Sequence, residues 1–172
     1  MIEGVKGHKE NNMKFLVFSD SHGKIDRMMH AIDIHKSNTD GVIFLGDGLS
    51  DIDYLKSYFP NLAFYTVKGN CDLFCGSVRS EQVITVDGIK ILITHSHLYS
   101  STNRYERLAE RVYELGANAV FFGHTHLPAD DIIEVNGTSI RIFNPGSVGY
   151  EGNYGILNTT NGVLVTSHTK IM

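Results

Sequence analysis

Residues 15–23 read Phe15-Leu16-Val17-Phe18-Ser19-Asp20-Ser21-His22-Gly23, and they decide the fold. Four consecutive apolar side chains show no polar alternation, the mark of a strand buried on both faces. The chain then becomes polar at once. The same step recurs twice. Val42-Ile43-Phe44-Leu45 runs into Gly46-Asp47-Gly48, and residues 62–67 run into Lys68-Gly69-Asn70-Cys71-Asp72. Between the first two runs, Ile25, Met28, Met29 and Ile32 form a helical stripe. Between the next two, Ser50 is expected to cap a short helix carrying Ile52, Leu55 and Phe59 and ended by Pro60. This βαβαβ order predicts parallel strands.

Residues 83–86 and 89–93 flank Asp87-Gly88, a hairpin signal. Tyr105, Leu108, Ala109, Val112 and Leu115 then mark a helix stopped by Gly116. Ala119-Val120-Phe121-Phe122 is another buried strand, and further hairpins turn at Asn136-Gly137 and Asn161-Gly162. The expected class is α/β with an α+β-like antiparallel part: a two-sheet β-sandwich of mixed strands flanked by helices. Residues 1–12 are polar and aperiodic and read as a disordered tail or upstream extension. Residues 13–172 read as a single domain.

Composition limits the function classes. A chain of 172 residues with 42% hydrophobic residues can bury a full core without disulfides. A net charge of −4 argues against a broad nucleic-acid footprint and an anionic-membrane surface. No apolar run reaches membrane-spanning length, and the N-terminus has no apolar signal region. The expectation is a cytoplasmic protein with no membrane partner and no stable nucleic-acid complex; a homo-oligomer stays open. Cys71 and Cys75 lack a second pair, so they read as reduced thiols rather than a zinc site. The histidines are unusual: nine in all, five of them in three tight clusters.

Those clusters follow strands. After residues 89–93 comes Thr94-His95-Ser96-His97, and after residues 119–122 comes Gly123-His124-Thr125-His126. Five strands thus end in Asp, His or Asn. Sites in open α/β sheets form beyond the carboxyl ends of strands, so these residues should converge at one rim. Asp, His and Asn offer nitrogen and oxygen ligands suited to Mn, Fe, Zn or Ni. The set exceeds the needs of one ion, and a carboxylate can bridge two ions that clamp a phosphoryl displacement.

Together, D-S-H-G at 20–23, G-D at 46–47, G-N-C-D at 69–72, T-H at 94–95 and G-H-T-H at 123–126 resemble the calcineurin-like metallophosphoesterase signature. Asn144-Pro145-Gly146-Ser147 is similar to the motif that closes it in small members. The short chain and the G-N-C-D form resemble the compact prokaryotic YfcE-like phosphodiesterases. The resemblance implies the metallophosphoesterase fold and two divalent ions, Mn first, with Ni, Fe or Zn as alternatives. It implies that Asp20, His22 and His126 hold one ion, that Asn70, His95 and His124 hold the other, and that Asp47 bridges them. Two such ions, two carboxylates and a bridging hydroxide leave the site near +1, attractive to phosphate on an acidic protein. The implied reaction is hydrolysis of a small phosphoester by a metal-bound hydroxide, with Asn70 also facing the phosphate. Asp47 and His95 join Asn70 in the catalytic set.

Some residues depart from the pattern. Many relatives carry His after the asparagine of G-N, where it protonates the leaving group. Cys71 stands there instead, and a thiol is a weaker acid catalyst at neutral pH. Its other reading is space-filling. Ser96 occupies a position that is often Gly in small relatives. His97 would share a face with His95 if residues 95–97 stay extended, reaching substrate or metal. Asp72 could orient a ligand histidine or cap a turn. Asp51 and Asp53 read as solvated first-turn residues, and Asp130 and Asp131 as a polar connection. His8, His30, His35 and His168 read as surface or packing residues. Arg79, Tyr99, Arg104 and Tyr105 are candidates for holding the rest of a substrate. Alternative activities are a phosphomonoesterase or nucleotidase, an exonuclease, or, from another class, a metal-binding scaffold without turnover.

Overall fold

The computed structural model describes residues 12–73, 75–99 and 103–171. Residues 1–11 of the expected tail lie outside the described residues, and Asn12 already belongs to the first strand. The first half runs β1 (Asn12–Phe18), α1 (Ile25–His35), β2 (Gly41–Phe44), α2 (Leu49–Tyr58) and β3 (Ala63–Thr66). The second half runs β4 (Glu81–Val86), β5 (Ile89–Thr94), α3 (Arg104–Glu114), β6 (Ala119–Phe122), β7 (Ala129–Val135), β8 (Thr138–Asn144), β9 (Asn153–Thr160) and β10 (Val163–Lys170). Two five-stranded sheets result, ordered β10-β9-β1-β2-β3 and β4-β5-β6-β8-β7. β1, β2 and β3 are parallel, as are β5, β6 and β8.

The continuous apolar runs have a direct cause. Alternate side chains of a strand point to opposite faces, and both faces are covered. Phe15, Val17, Ile43, Ile91, Ile93 and Phe121 fill the layer between the sheets. Leu16, Phe18, Val42 and Phe44 point outward onto Met28 and Ile32 of α1 and Ile52 and Leu55 of α2. Leu92, Val120 and Phe122 point the other way, onto Leu108 and Val112 of α3. α3 ends as its glycine predicts. Gly116 has φ 60°, its N–H bonds to the Tyr113 carbonyl, and the Ala117 N–H reaches back to Val112.

Three details differ from expectation. β3 is an edge strand, so residues 63–66 are at most half-buried rather than enclosed on both faces. Ser50 does not cap α2; Gly48 holds that position and Ser50 is an exposed residue of the first turn. Asp130 and Asp131 lie in β7, where Asp130 pairs with Arg141 and accepts from the Thr166 hydroxyl. Among the described residues, no helix is long and apolar enough to cross a membrane.

Candidate metal centre

The polar segments after β1, β2, β3, β5 and β6 meet at one end of the sandwich. The Asp20 N–H donates to the Gly46 carbonyl at 2.9 Å, and the His22 N–H to the Asp47 carbonyl at 3.2 Å, lacing the first two loops together. The chain after β8 closes over them. The Val148 and Gly149 N–H groups donate to the carbonyls of Ser19 and Asp20, and the Ser147 hydroxyl also donates to the Asp20 carbonyl.

Asp20 is fully buried. Its Oδ2 accepts from the Ser19 hydroxyl and from the His124 N–H at 3.1 Å. Its Oδ1 has no hydrogen-bond partner. Around Oδ1 stand the Nε2 atoms of His126 at 3.2 Å, His95 at 3.8 Å and His22 at 3.9 Å. His95 is equally buried and shows the complementary arrangement. Its Nδ1–H donates to the Leu45 carbonyl at 2.7 Å, since a carbonyl can only accept. That bond turns Nε2 inward, where it makes no directed hydrogen bond and lies 3.3 Å from Asp47 Oδ2. A buried carboxylate oxygen and a buried imidazole nitrogen left facing one point suit a cation better than any protein partner.

The ligand atoms fall into three close groups: Asp20 with His22 and His126, Asp20 with Asp47 and His95, and His22 with Asp47 and Cys71. The rings divide similarly. His22 and His126 are 5.6 Å apart, while His95 lies 5.1 Å from His124 and 5.6 Å from His97. Thus Asp20, His22, Asp47, His95 and His126 come together, with the His124 ring beside His95. Asn70 is exposed on the loop after β3, its amide 3.4 Å from the Cys71 sulfur. The approach of Cys71 to His22 and Asp47 has no counterpart in the sequence reading. The thiols of Cys71 and Cys75 are both free.

Charge follows this packing. Burial opposes the Asp47 charge, but its interaction with His95 and the Cys71 N–H bond outweigh this, holding the carboxyl well below the usual range. Burial also opposes protonation of His95, yet Asp47 and Asp20 raise its pKa overall. His124 is lowered by burial and then by the charges of His95 and Arg104; His97 is lowered by burial first. The hydrogen bond to Asp47 leads in pushing the Cys71 thiol up to about 11.

The backbone here is strained. Asp20, His22, Asp47, His124 and His126 have φ of 55°, 45°, 61°, 73° and 61°. Left-handed backbone costs a non-glycine residue about 1–2 kcal/mol, so something must hold it. Asp72 supplies much of the restraint. Its carboxylate accepts the N–H groups of Asp47, Gly48, Leu49 and Gly69 at 2.8–2.9 Å, which ties the β2 and β3 loops and caps α2 from outside. These bonds match the turn-capping alternative for Asp72. Asp51 is 7% exposed rather than solvated, and accepts from the Ser21 hydroxyl at 2.6 Å and the Gly23 N–H at 3.0 Å. Buried Asn144 holds the β6 loop through the Gly123 carbonyl and the Thr125 hydroxyl. Gly69 is forced by contact: a Cβ there would lie 2.1 Å from Asp47 Oδ1.

Residues 95–97 do not stay extended. β5 stops at Thr94, and Ser96 has φ 71°, the conformation that suits the expected glycine. The Ser96 hydroxyl donates to the Gly123 carbonyl and restrains it. His97 nonetheless reaches the His95 side of the site, with Nδ1 buried and unpartnered. Tyr150 was missed by sequence reading; its ring stacks on His126 at 5.0 Å and meets the edge of His22 at 5.2 Å. Of the flanking candidates, Tyr99 donates to Glu81, Tyr105 packs on Phe122, and Arg79 is exposed. His35 bonds to Tyr154 and stands beside Lys14, His168 stacks on Phe143, and His30 is exposed; His8 lies outside the described residues.

The sequence and the fold both match known proteins. The family model of the calcineurin-like phosphoesterase superfamily domain matches residues 13–162, and the chain belongs to that family. A probable metallophosphoesterase, YsnB of Bacillus subtilis (strain 168), is 34% identical over 137 residues, 79% of this chain and 75% of that protein. A predicted phosphoesterase of Streptococcus pneumoniae TIGR4 superposes with a TM-score of 0.73 at 24% identity, covering 92% of this chain and 90% of the other. An archaeal phosphodiesterase gives a TM-score of 0.69 at 24% identity, over 91% of this chain and 100% of its own.

Proposed function

We propose that this chain is a phosphodiesterase that hydrolyses a small phosphoester with two divalent cations, Mn being the first to test. Asp20, His22 and His126 would hold one ion, Asn70, His95 and His124 the other, and Asp47 would lie between them. The observation that carries this reading is the pair of buried, unpartnered atoms, Asp20 Oδ1 and His95 Nε2, 3.8 Å apart and beside Asp47. The archaeal phosphodiesterase of the same fold supports the choice of a diester.

When bound, such ions add positive charge at the phosphoryl oxygens and acidify coordinated water. The protein groups do the rest. Ser19 and the His124 N–H hold Asp20 Oδ2, so that Oδ1 alone faces inward. The Leu45 carbonyl fixes the His95 ring with Nε2 inward. Exposed Asn70 can donate its amide to a phosphoryl oxygen from the open side. Cys71, with its thiol near 11, gives little help in protonating a leaving group at neutral pH. Esters with acidic leaving groups are therefore the preferred substrates. The free thiols suit a cytoplasmic location.

The test is turnover of purified protein with Mn on bis(p-nitrophenyl) phosphate, p-nitrophenyl phosphate and single-stranded DNA. Faster turnover of the diester, abolished by a chelator, is the expected result. Preference for the monoester or for DNA would replace this reading, and activity that survives chelation would remove it. Cys71→His should improve poorly activated esters; no gain would count against the leaving-group argument.

A further inference from the structure

One cation beside the site joins no ion pair among the described residues. Arg104 is the first residue of α3. A positive side chain there faces the positive end of the helix dipole, the unfavourable arrangement. Among the described residues it joins no ion pair, and its Nε is buried without an acceptor. Arg111, two turns further along the same face, shows the ordinary solution: it pairs with Glu81 at 2.8 Å. Arg104 thus combines an adverse dipole, an unmet donor and an absent partner in one side chain. Local rules broken together, without compensation inside the protein, mark a functional position.

Its surroundings indicate the function. Arg104 borders a groove of about 340 Å³ with Asn103, Tyr105, Glu106, Thr125 and Leu127. Thr125 lies between His124 and His126, so the groove runs along the loop that carries both. Packing fixes this relation, because the Tyr105 ring sits edge-on against Phe122, the last residue of β6, at 5.6 Å. Arg104 is partly buried and its positive charge acts on His124, while Asp131 opposes it at Tyr105 and Glu106 is exposed and screened by water.

We propose that Arg104 determines specificity: it binds a second anionic group, carried by the organic part of the phosphoester whose scissile phosphate sits at the metal centre. This rests on the phosphodiesterase reading and narrows its substrate class to esters with an additional phosphate or carboxylate. A guanidinium offers paired planar donors that match either anion.

The test is calorimetric binding of product analogues to the Mn-loaded chain, alongside hydrolysis. Thymidine 3′,5′-bisphosphate is compared with thymidine 5′-monophosphate, and orotidine with uridine 5′-monophosphate, the latter pair differing by one carboxylate. At least one doubly anionic probe should bind about tenfold more tightly than its partner, as for one charge-assisted contact. Whichever pair shows the gap identifies the anion. In Arg104→Gln and Arg104→Ala the gap should close while monophosphate affinity stays unchanged. Arg104→Gln should melt no lower than wild type, because it removes an unfavourable charge. Equal affinities in the wild type, equal weakening of all ligands, or a clear fall in melting temperature would overturn the proposal. Hydrolysis of the dinucleotides TpT and pTpT separates the two readings. An Arg104-dependent gap without turnover of either would remove the phosphodiesterase reading alone. Turnover of TpT without any gap would remove the Arg104 proposal alone.

Discussion

The two ends of the sandwich use the same backbone conformation in different ways. At one end, the hairpin turns Asp87-Gly88, Asn136-Gly137 and Asn161-Gly162 have positive φ at both residues, 49° and 79°, 50° and 76°, and 50° and 77°. Asn, Asp and Gly tolerate that region, so residue choice alone relieves the strain. At the other end, Asp20, His22, Asp47 and His126 adopt it with their side chains gathered together, and His124 adopts it with its ring beside His95. Three of them are histidines, and the loops are kept in place by hydrogen bonds accepted by Asp72 and donated by Asn144 and the segment after β8. Strain relieved by composition produces a turn; strain held by surrounding bonds produces a site.

The largest effect should come from the inward-facing carboxylate at the site end. Asp47→Asn should lower metal-dependent kcat/KM on a diester by more than about 100-fold, beyond the usual cost of an outer partner. Elemental analysis should show less bound metal. Full metal content and activity would refute the site assignment.

Next comes the restraint. Asp72→Ala leaves four N–H groups without their acceptor. With water replacing part of the loss, a destabilisation of about 3 kcal/mol is expected, measured by denaturant unfolding. Activity should fall as well, although Asp72 makes no hydrogen bond to a site histidine. A variant as stable as wild type would show that the strained loops need no such tie.

A proton competes with a metal ion for His95 Nε2, and its pKa is raised by Asp47 and Asp20 against the opposing effect of burial. Metal affinity should be full above that raised value. Below that value it should fall by about tenfold per pH unit for one proton. Titration across pH checks this, and a flat profile would exclude His95 as a ligand.

The smallest effect belongs to the turn end. Asn136→Ala keeps the glycine but loses the residue suited to φ 50°. A loss of about 1 kcal/mol in stability is expected, with kcat/KM unchanged. An effect on activity would mean that the two ends are not independent.

The turn end was largely legible in the sequence, because Asn-Gly and Asp-Gly encode their conformation locally. The buried runs were legible as strands for the same reason, and Ile25, Met28 and Ile32 as a helix face. β3 misled because an apolar run does not reveal that its strand lies at a sheet edge. The histidine and aspartate clusters were legible by type and by their position after strands. Their supports were not. Asp51 looks like any acid in a first turn, and only the fold brings it to Ser21 and Gly23, 28 to 30 positions away. Ser50 looked like a cap because local spacing cannot reveal that Asp72 arrives from another loop.

The sequence by itself determined which chemical groups would gather: nitrogen and oxygen donors placed after buried strands, in a fold set by apolar periodicity. Only the tertiary structure decided which atom of each group faces the centre, that Cys71 lies near His22 and Asp47, and that Arg104 joins no ion pair among the described residues. The reason is that residue type and periodicity act locally. The direction of a lone pair or a charge's lack of a partner depends on bonds between residues far apart in the chain.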